Sequence, residues 1–193
     1  MKKLLSACAV AAAFVSAPAM AQGYFGLGLG SSSISGYDET VAGVTYSGGN
    51  AAKTSFKILG GYQFNPTWGV EGQYAALGKR AIKETPTFVG VIDSVDYSQL
   101  GIYGTGTLPI NANFSLFGKL GLSANKSKGT DTAGGSASEN NTNLSFGLGA
   151  SYKFMPNLAA RAEYENFGKV IKAVNGFSEV KASNFSVSLL YSF

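Results

Sequence analysis

The chain has 193 residues, of which only 13% are charged, with 15 Lys and Arg against 11 Asp and Glu. A typical soluble domain has about 25% charged residues. This chain has no histidine and one cysteine, which excludes Ser-His-Asp and Cys-His nucleophiles and any Cys/His metal set. Its net charge is small and no basic cluster exists, so nothing favours a nucleic-acid partner. We therefore expect neither an enzyme nor a bound cofactor.

The N-terminus has the pattern of a secretory export signal. Residues 2–3 are lysines, residues 4–15 are mostly apolar, and residues 19–21 read Ala-Met-Ala, an A-x-A cleavage site. The apolar stretch is too short to cross a bilayer as a helix. The sequence therefore predicts a signal peptide over residues 1–21 and a single domain over residues 22–193.

Eight runs of alternating apolar and small polar residues follow, and this period of two is typical of β-strands with two different faces. The runs cover residues 22–30, 53–64, 68–77, 95–108, 114–124, 143–154, 158–166 and 182–193. Short turns with Pro and Asn alternate with four long loops, at residues 31–52, 78–94, 125–142 and 168–181. This repeated hairpin predicts an all-β fold, an eight-stranded antiparallel up-and-down transmembrane β-barrel.

The period of two does not by itself say which face points outward. A soluble, ligand-carrying barrel of eight strands would turn its apolar face inward. The other face here is mostly Gly, Ser, Thr, Gln and Tyr with a few charges of both signs, which suits a crowded lumen better than a water-exposed surface. Aromatic residues also gather at strand ends beside the turns, as in an interfacial girdle: Phe64, Trp68, Phe114, Phe154 and Phe193. We therefore favour the membrane barrel over the soluble one.

The last nine residues, FSVSLLYSF, have the pattern expected of a closing strand. Apolar side chains fall on every second position: Phe185, Val187, Leu189, Tyr191 and Phe193. This ending resembles the C-terminal signature of outer-membrane barrels, which the barrel-assembly machinery reads. The resemblance implies that Tyr191 and Phe193 belong to an assembly signal.

The whole chain resembles the small eight-stranded outer-membrane β-barrel proteins, namely the OmpA transmembrane domain, the OmpX/Ail type and the opacity type. The resemblance is carried by AMA followed by QGYFGLGLG, by SFKILGGYQFNPTWGVEGQY, and by the terminal FSVSLLYSF. It implies the outer membrane of a Gram-negative bacterium, with membrane lipid and lipopolysaccharide as surroundings. It also implies short turns in the periplasm, long loops outside, and no peptidoglycan-binding domain.

Four charged residues stand in mid-strand on the small polar face: Glu71, Lys119, Arg161 and Glu163. Isolated charges would be costly to bury in a narrow barrel, whereas opposite charges can pair across its interior. The OmpA domain has a comparable network that plugs or gates a narrow passage. Arg161 departs from that pattern, because it lies on the seventh strand and the family's arginine lies on the eighth. Two interpretations stay open, a satisfied polar plug and a conductive gate.

The predicted function is a structural or surface-exposed role, in adhesion or envelope integrity, through the four long loops. Host or matrix ligands are the expected partners, since binding usually resides in loops. The third loop, residues 125–142, has few apolar residues and is expected to be mobile. The alternative is a narrow, gated pore for ions or small solutes. Interior glycines would favour the pore by leaving gaps in the lumen, at Gly26, Gly28, Gly121, Gly147 and Gly149.

Overall fold

The computed structural model describes residues 22–35, 37–41, 44–48, 53–81, 92–131, 136–171 and 180–193. The predicted signal peptide lies outside the described residues, so its presence stays a prediction. None of the described residues belongs to a helix long and apolar enough to span a membrane.

The described chain consists of strands joined by short turns. They are β1 (Gln22–Ser35), β2 (Tyr37–Val41), β3 (Val44–Gly48), β4 (Lys53–Gln63), β5 (Trp68–Ala81), β6 (Ile92–Pro109), β7 (Phe114–Asp131), β8 (Ser136–Met155), β9 (Leu158–Ile171) and β10 (Val180–Ser192). Eight of them form a closed barrel in the order β1-β10-β9-β8-β7-β6-β5-β4, and β2 pairs with β3 in a separate sheet. Every neighbouring pair in the barrel is antiparallel, which confirms the predicted fold class.

The two faces of the strands are oriented as a membrane barrel requires. On β6, Leu100 and Ile102 point outward and are 61% and 73% exposed, whereas Gln99 and Tyr103 point inward and are 1% exposed. The same alternation holds on the other barrel strands, so the apolar face is outside and the polar face fills the lumen. The soluble alternative, with an apolar interior, is therefore wrong.

The long loops are shorter than the sequence predicts. Residues 125–131 and 136–142 were expected in a mobile loop, but they continue β7 and β8 as a paired ladder that reaches Thr130 opposite Ser136. The physical reason is that a ladder needs backbone hydrogen bonds and not apolar side chains. Part of the first predicted loop likewise forms the β2–β3 hairpin.

Strand β8 extends further than its neighbour β9. Its ladder with β9 begins at Phe146 opposite Asn166, whereas its ladder with β7 continues to Ser136 opposite Thr130. Near the end of the shorter ladder, Gly168 has a positive φ of 69° that few residues other than glycine adopt. Its backbone N–H donates to Asn166 Oδ1 at 2.9 Å. The β7–β8 ladder therefore extends further than the β8–β9 ladder.

Two of the short turns at the opposite end are fixed by asparagine side chains. Asn65 Oδ1 accepts hydrogen bonds from the backbone N–H groups of Thr67 and Trp68, at 2.9 and 2.8 Å. Asn111 Oδ1 does the same for Asn113 and Phe114, at 3.0 and 2.8 Å. These Asx turns give the barrel a rigid rim at the end that the resemblance places in the periplasm.

Candidate functional site

The middle of the lumen contains six buried charged side chains from four strands. They are Lys57 on β4, Glu71 on β5, Lys119 on β7, and Arg161, Glu163 and Glu165 on β9. The set has three cations and three carboxylates, so its formal charges cancel. This balance matters because an uncompensated charge at this depth would be very costly.

Lys119 is the centre of this cluster. Its Nζ lies 3.0 Å from Glu71 Oε1 and 2.8 Å from Glu165 Oε1, and it also contacts Glu163 Oε1. It donates a further hydrogen bond of 2.6 Å to Gln73 Oε1. One ammonium group therefore joins carboxylates from β5 and β9, which are not neighbours in the barrel.

Lys57 closes the cluster from the opposite wall. Its Nζ lies 2.7 Å from Glu163 Oε2 and 3.0 Å from Glu165 Oε2, so β4 is joined to β9 across the lumen. Asn184 on β10 adds a hydrogen bond of 3.4 Å to Glu165 Oε2. The two carboxylates of β9 thus lie between two ammonium groups.

Arg161 forms the layer nearest the short turns. Its Nη1 pairs with Glu71 Oε2, which also accepts a hydrogen bond of 2.8 Å from the Tyr24 hydroxyl. The guanidinium lies over the ring of Phe117, 4.3 Å from its centroid, and 5.4 Å from that of Tyr24. Aromatic faces attract a cation, so these rings help to hold the guanidinium in place.

The structure brings the four candidates from the sequence into one connected cluster, with Lys119 contacting Glu71 and Glu163, and Arg161 contacting Glu71. The sequence reasoning missed Lys57 and Glu165, which complete the charge balance. A signal for both existed, because each falls on the polar face of its strand by the same period of two. What could not be read was which inward side chains meet across the lumen.

Apolar side chains bound the charged layer on both sides. Towards the turns, Tyr24, Leu59 and Leu190 form an inward-facing cluster. Towards the loops, Leu77 and Phe167 point inward and have no exposed surface. The ion pairs therefore lie in a low-dielectric layer, where separating them is expensive.

The interior glycines do not leave gaps. A Cβ on Gly147 would lie 3.0 Å from Lys119 Cε and 3.1 Å from Glu163 Oε1, so these side chains already use that space. Neighbouring atoms also fill the space in front of Gly26, Gly28, Gly121 and Gly149. The expectation that glycines open the lumen is wrong, because neighbouring side-chain and backbone atoms already occupy the space in front of them.

The C-terminal strand has its aromatic residues on the outer face. Tyr191 is 39% exposed, and the centroid of its ring lies 5.5 Å from that of the tilted Phe25 ring on β1. Phe193 is also exposed, and its backbone N–H donates to the Gly23 carbonyl at 2.9 Å. These contacts close the barrel, and reading by an assembly machinery stays a prediction. Within the described residues, no group of His, Cys, Asp and Glu is arranged to hold a metal ion.

Comparison with known proteins agrees with this architecture. Ail, the attachment invasion locus protein of Yersinia pestis, solved in complex with the heparin analogue sucrose octasulfate, is 23% identical with a TM-score of 0.59, over 90% of this chain and 99% of its own. Neisserial surface protein A is 18% identical with a TM-score of 0.64, over 89% and 97%. OprG from Pseudomonas aeruginosa is 15% identical with a TM-score of 0.59, over 91% and 96%. At these identities the likeness shows the fold alone.

No curated protein matches the sequence. The model of the outer membrane protein beta-barrel domain matches residues 6–193, which is nearly the whole chain. The match includes every strand of the barrel and all six charges of the lumen. The chain belongs to the outer membrane protein β-barrel family.

Proposed function

We propose that this protein is a plugged barrel of the Gram-negative outer membrane that acts at the cell surface, in adhesion or envelope integrity. This proposal rests mainly on the neutral six-charge cluster that joins opposite walls of the lumen. The length of the β7–β8 pair, which exceeds what a membrane span needs, supports the surface role. Neither a channel nor a catalytic role fits these two features as well.

The cluster favours a plug over an open pore. Glu71, Glu163 and Lys57 are each 1% exposed, and the interior glycines add no free space. An ion crossing the lumen would have to separate buried charge pairs, which is costly in a low-dielectric layer.

The β7–β8 pair provides the projecting surface. A strand needs about 9–11 residues to span a membrane, whereas β7 has 18 and β8 has 20. On β7 the outward side chains change from Leu120 and Leu122 to Lys126 and Lys128, all exposed. Water therefore replaces lipid along the outer face, and the pair extends outward on the long-loop side, which is the cell surface in this family.

The outer face of the β7–β8 pair gives this surface a means of binding. Its exposed Lys126 and Lys128 provide positive charge for an acidic ligand. Heparin is the first ligand to test, because the similar Ail protein is solved with a heparin analogue.

A gated pore is the second candidate. A cavity enters the lumen from the turn end and reaches Arg161, so the charged layer is the main barrier to passage. The pore is tested by the single-channel conductance of refolded residues 22–193 in a planar bilayer, beside a Glu71→Ala variant. We expect silence from protein that is folded by its heat-modifiable gel migration. Steady discrete openings that change with Glu71→Ala would replace the plug by a gate.

Surface recognition is tested by shortening the projecting sheet. Joining Asn125 to Asn141 through a two-residue turn removes the end of the β7–β8 pair at positions that lie opposite each other in register. Removing the separate β2–β3 hairpin is the matched control. We expect the first variant to lose binding to heparin or to host cells while the barrel still folds, and the control to keep it. Equal binding by both variants and the parent would show that the projecting sheet is not the binding surface.

A further inference from the structure

We propose that the turn end of the lumen is a binding site for a small oxyanion, a phosphate or carboxylate, held by Arg161. A cavity of about 350 Å³ opens between the short turns and ends at this arginine. The charged layer and the apolar cluster of Tyr24, Leu59 and Leu190 lie at its inner end. The cavity is thus a blind vestibule that faces the side opposite the projecting sheet.

The charge of the vestibule selects for an anion. Two of the side chains that line it are cations, Arg161 at the closed end and Lys153 near the mouth, and none is a carboxylate. The other polar lining groups are hydroxyls and amides, among them Ser115, Ser151 and Thr107. A concave site with one sign of charge and low-dielectric walls concentrates ions of the opposite sign.

Arg161 has donors that the plug does not use. Its side chain is 10% exposed, and its only ion pair with a described residue joins Nη1 to Glu71. Its Nε has no hydrogen-bond partner in the described part of the chain, although it is buried. Guanidinium groups present five donors in a planar fork that matches an oxyanion. Glu71 also accepts hydrogen bonds from Lys119 and the Tyr24 hydroxyl, so its lone pairs are shared among three donors.

The site is rigid before any ligand arrives. The rings of Phe117 and Tyr24 hold the guanidinium from its faces, at 4.3 and 5.4 Å. The mouth is braced by backbone bonds from strands to neighbouring turns, from Thr107 N on β6 to Thr67 O at 2.6 Å and from Lys153 N on β8 to Asn113 O at 2.7 Å. Little ordering is left to occur on binding, which favours affinity for a small ligand.

Nuclear magnetic resonance of arginine side chains gives a direct test, because the chain has two arginines, Arg80 and Arg161. Protein with ¹⁵N-arginine, purified from outer membranes into neutral detergent, is titrated with inorganic phosphate at constant ionic strength. We expect a saturable shift of the Arg161 Nε–Hε resonance. The Arg80 resonance, from the loop end of β5, should not move.

Two variants test the electrostatic basis, and both leave the six-charge cluster intact. Lys153→Gln at the mouth should weaken phosphate binding roughly two- to fivefold, as expected for one partly screened charge. Lys126→Gln, an exposed lysine at the opposite end of the barrel, is the matched control and should bind as the parent does. Equal weakening by both variants, or by neither, would overturn the assignment of this cavity.

To distinguish a lipid phosphate from a soluble anion as the ligand, the spectra are repeated in bilayers without free phosphate. A shift of Arg161 on adding phosphatidylglycerol to phosphatidylcholine identifies the ligand as a lipid phosphate of the adjacent leaflet. A shift with free phosphate alone identifies a soluble periplasmic anion. A shift that is absent, does not saturate, or is equal at Arg80 would overturn the proposal, with folding checked by gel migration in each case.

Discussion

The membrane half and the projecting half of β7 have the same backbone geometry, but their outer faces contact different solvents, lipid and water. In the membrane half, Lys119 points inward and Leu120 and Leu122 point outward. In the projecting half, Asn125 and Ser127 point inward and are buried, while the outward side chains are lysines. The ladder to β8 continues through both halves without a register shift. A barrel strand can therefore leave the bilayer by changing only the chemistry of its outer face.

The inner faces differ in charge. The lumen within the membrane holds six paired charges, whereas Asn125, Ser127 and Asn141, which are buried on the inner face of the projecting half, are neutral. Among the side chains whose burial is described, charge is therefore concentrated where the barrel must be closed to ions. Five predictions test this contrast, and the largest effects are expected in the charged layer.

Replacing Glu71 by Gln should cause the largest loss of stability. The change keeps the side-chain shape but leaves Arg161 and Lys119 short of a carboxylate, and breaking a buried pair costs about 3–5 kcal/mol. Urea unfolding of the barrel in phospholipid vesicles measures the difference. Lys126→Gln, on the exposed half of the same β7, should stay within about 0.5 kcal/mol.

A double variant tests whether the loss of stability comes from the charge imbalance. The double variant Glu71→Gln, Lys119→Gln removes one charge of each sign and restores neutrality. We expect its loss of unfolding free energy to be about 0.5–3 kcal/mol smaller than the summed losses of the two single variants. Additive effects would mean that the two side chains act independently, contrary to their 3.0 Å contact.

Arginine on the outer face should distinguish lipid from water. Leu120→Arg places a charge in the apolar band and should cost about 2–4 kcal/mol, whereas a charge near or beyond the interface costs about 0–1 kcal/mol. Ser138→Arg, on the exposed face of the projecting part of β8, is the matched change. Equal costs at the two positions would contradict the placement of the membrane on these strands.

The same contrast explains how far the sequence alone could lead. The strands of the barrel were predictable because lipid on one side and a polar lumen on the other impose a period of two. The ends of β7 and β8 were missed because both faces become polar beyond Leu122 and Leu144, so the alternation disappears while the ladder continues. Backbone pairing leaves little trace in side-chain polarity once the outer solvent is water.

The sequence predicted the kind of site, a set of paired charges in the lumen, but it did not identify all of the residues. Charges in mid-strand on the inner face must be paired, which identified Glu71, Lys119, Arg161 and Glu163. The partners of these charges depend on the stagger of strands that are not neighbours, so the sequence did not identify Lys57 as one of them. The link from Lys57 to Glu163 joins residues that are 106 positions apart in the chain.

Replacing glycine by alanine should have an intermediate effect on the free energy of unfolding. We expect the change to destabilise the barrel on its inner face but not on its outer face. Gly147→Ala directs a methyl group at Lys119 and Glu163, and overpacking of this kind costs about 1–3 kcal/mol. Gly104→Ala is the outward control, because a Cβ there would lie 3.8 Å from the Leu120 carbonyl, an ordinary van der Waals contact. It should be neutral or stabilise by about 0.4–1 kcal/mol through the unfolded state. The same urea unfolding measures both, and equal destabilisation would mean that the lumen is no more crowded than the lipid face.

The smallest effect is expected for the charge pair of the projecting sheet. Asp96 on β6 lies directly opposite Lys128 on β7, and Lys128 is exposed to water. Cross-strand pairs of this kind contribute about 0.2–1 kcal/mol. A double-mutant cycle with Asp96→Asn and Lys128→Gln should give a coupling energy in that range, and it should nearly vanish at about 1 M salt, where the Debye length is about 3 Å. A coupling as large and as salt-independent as that expected for Glu71 and Lys119 would place this pair in a low-dielectric environment, and the projecting half of β7 would then have to lie against lipid or a partner.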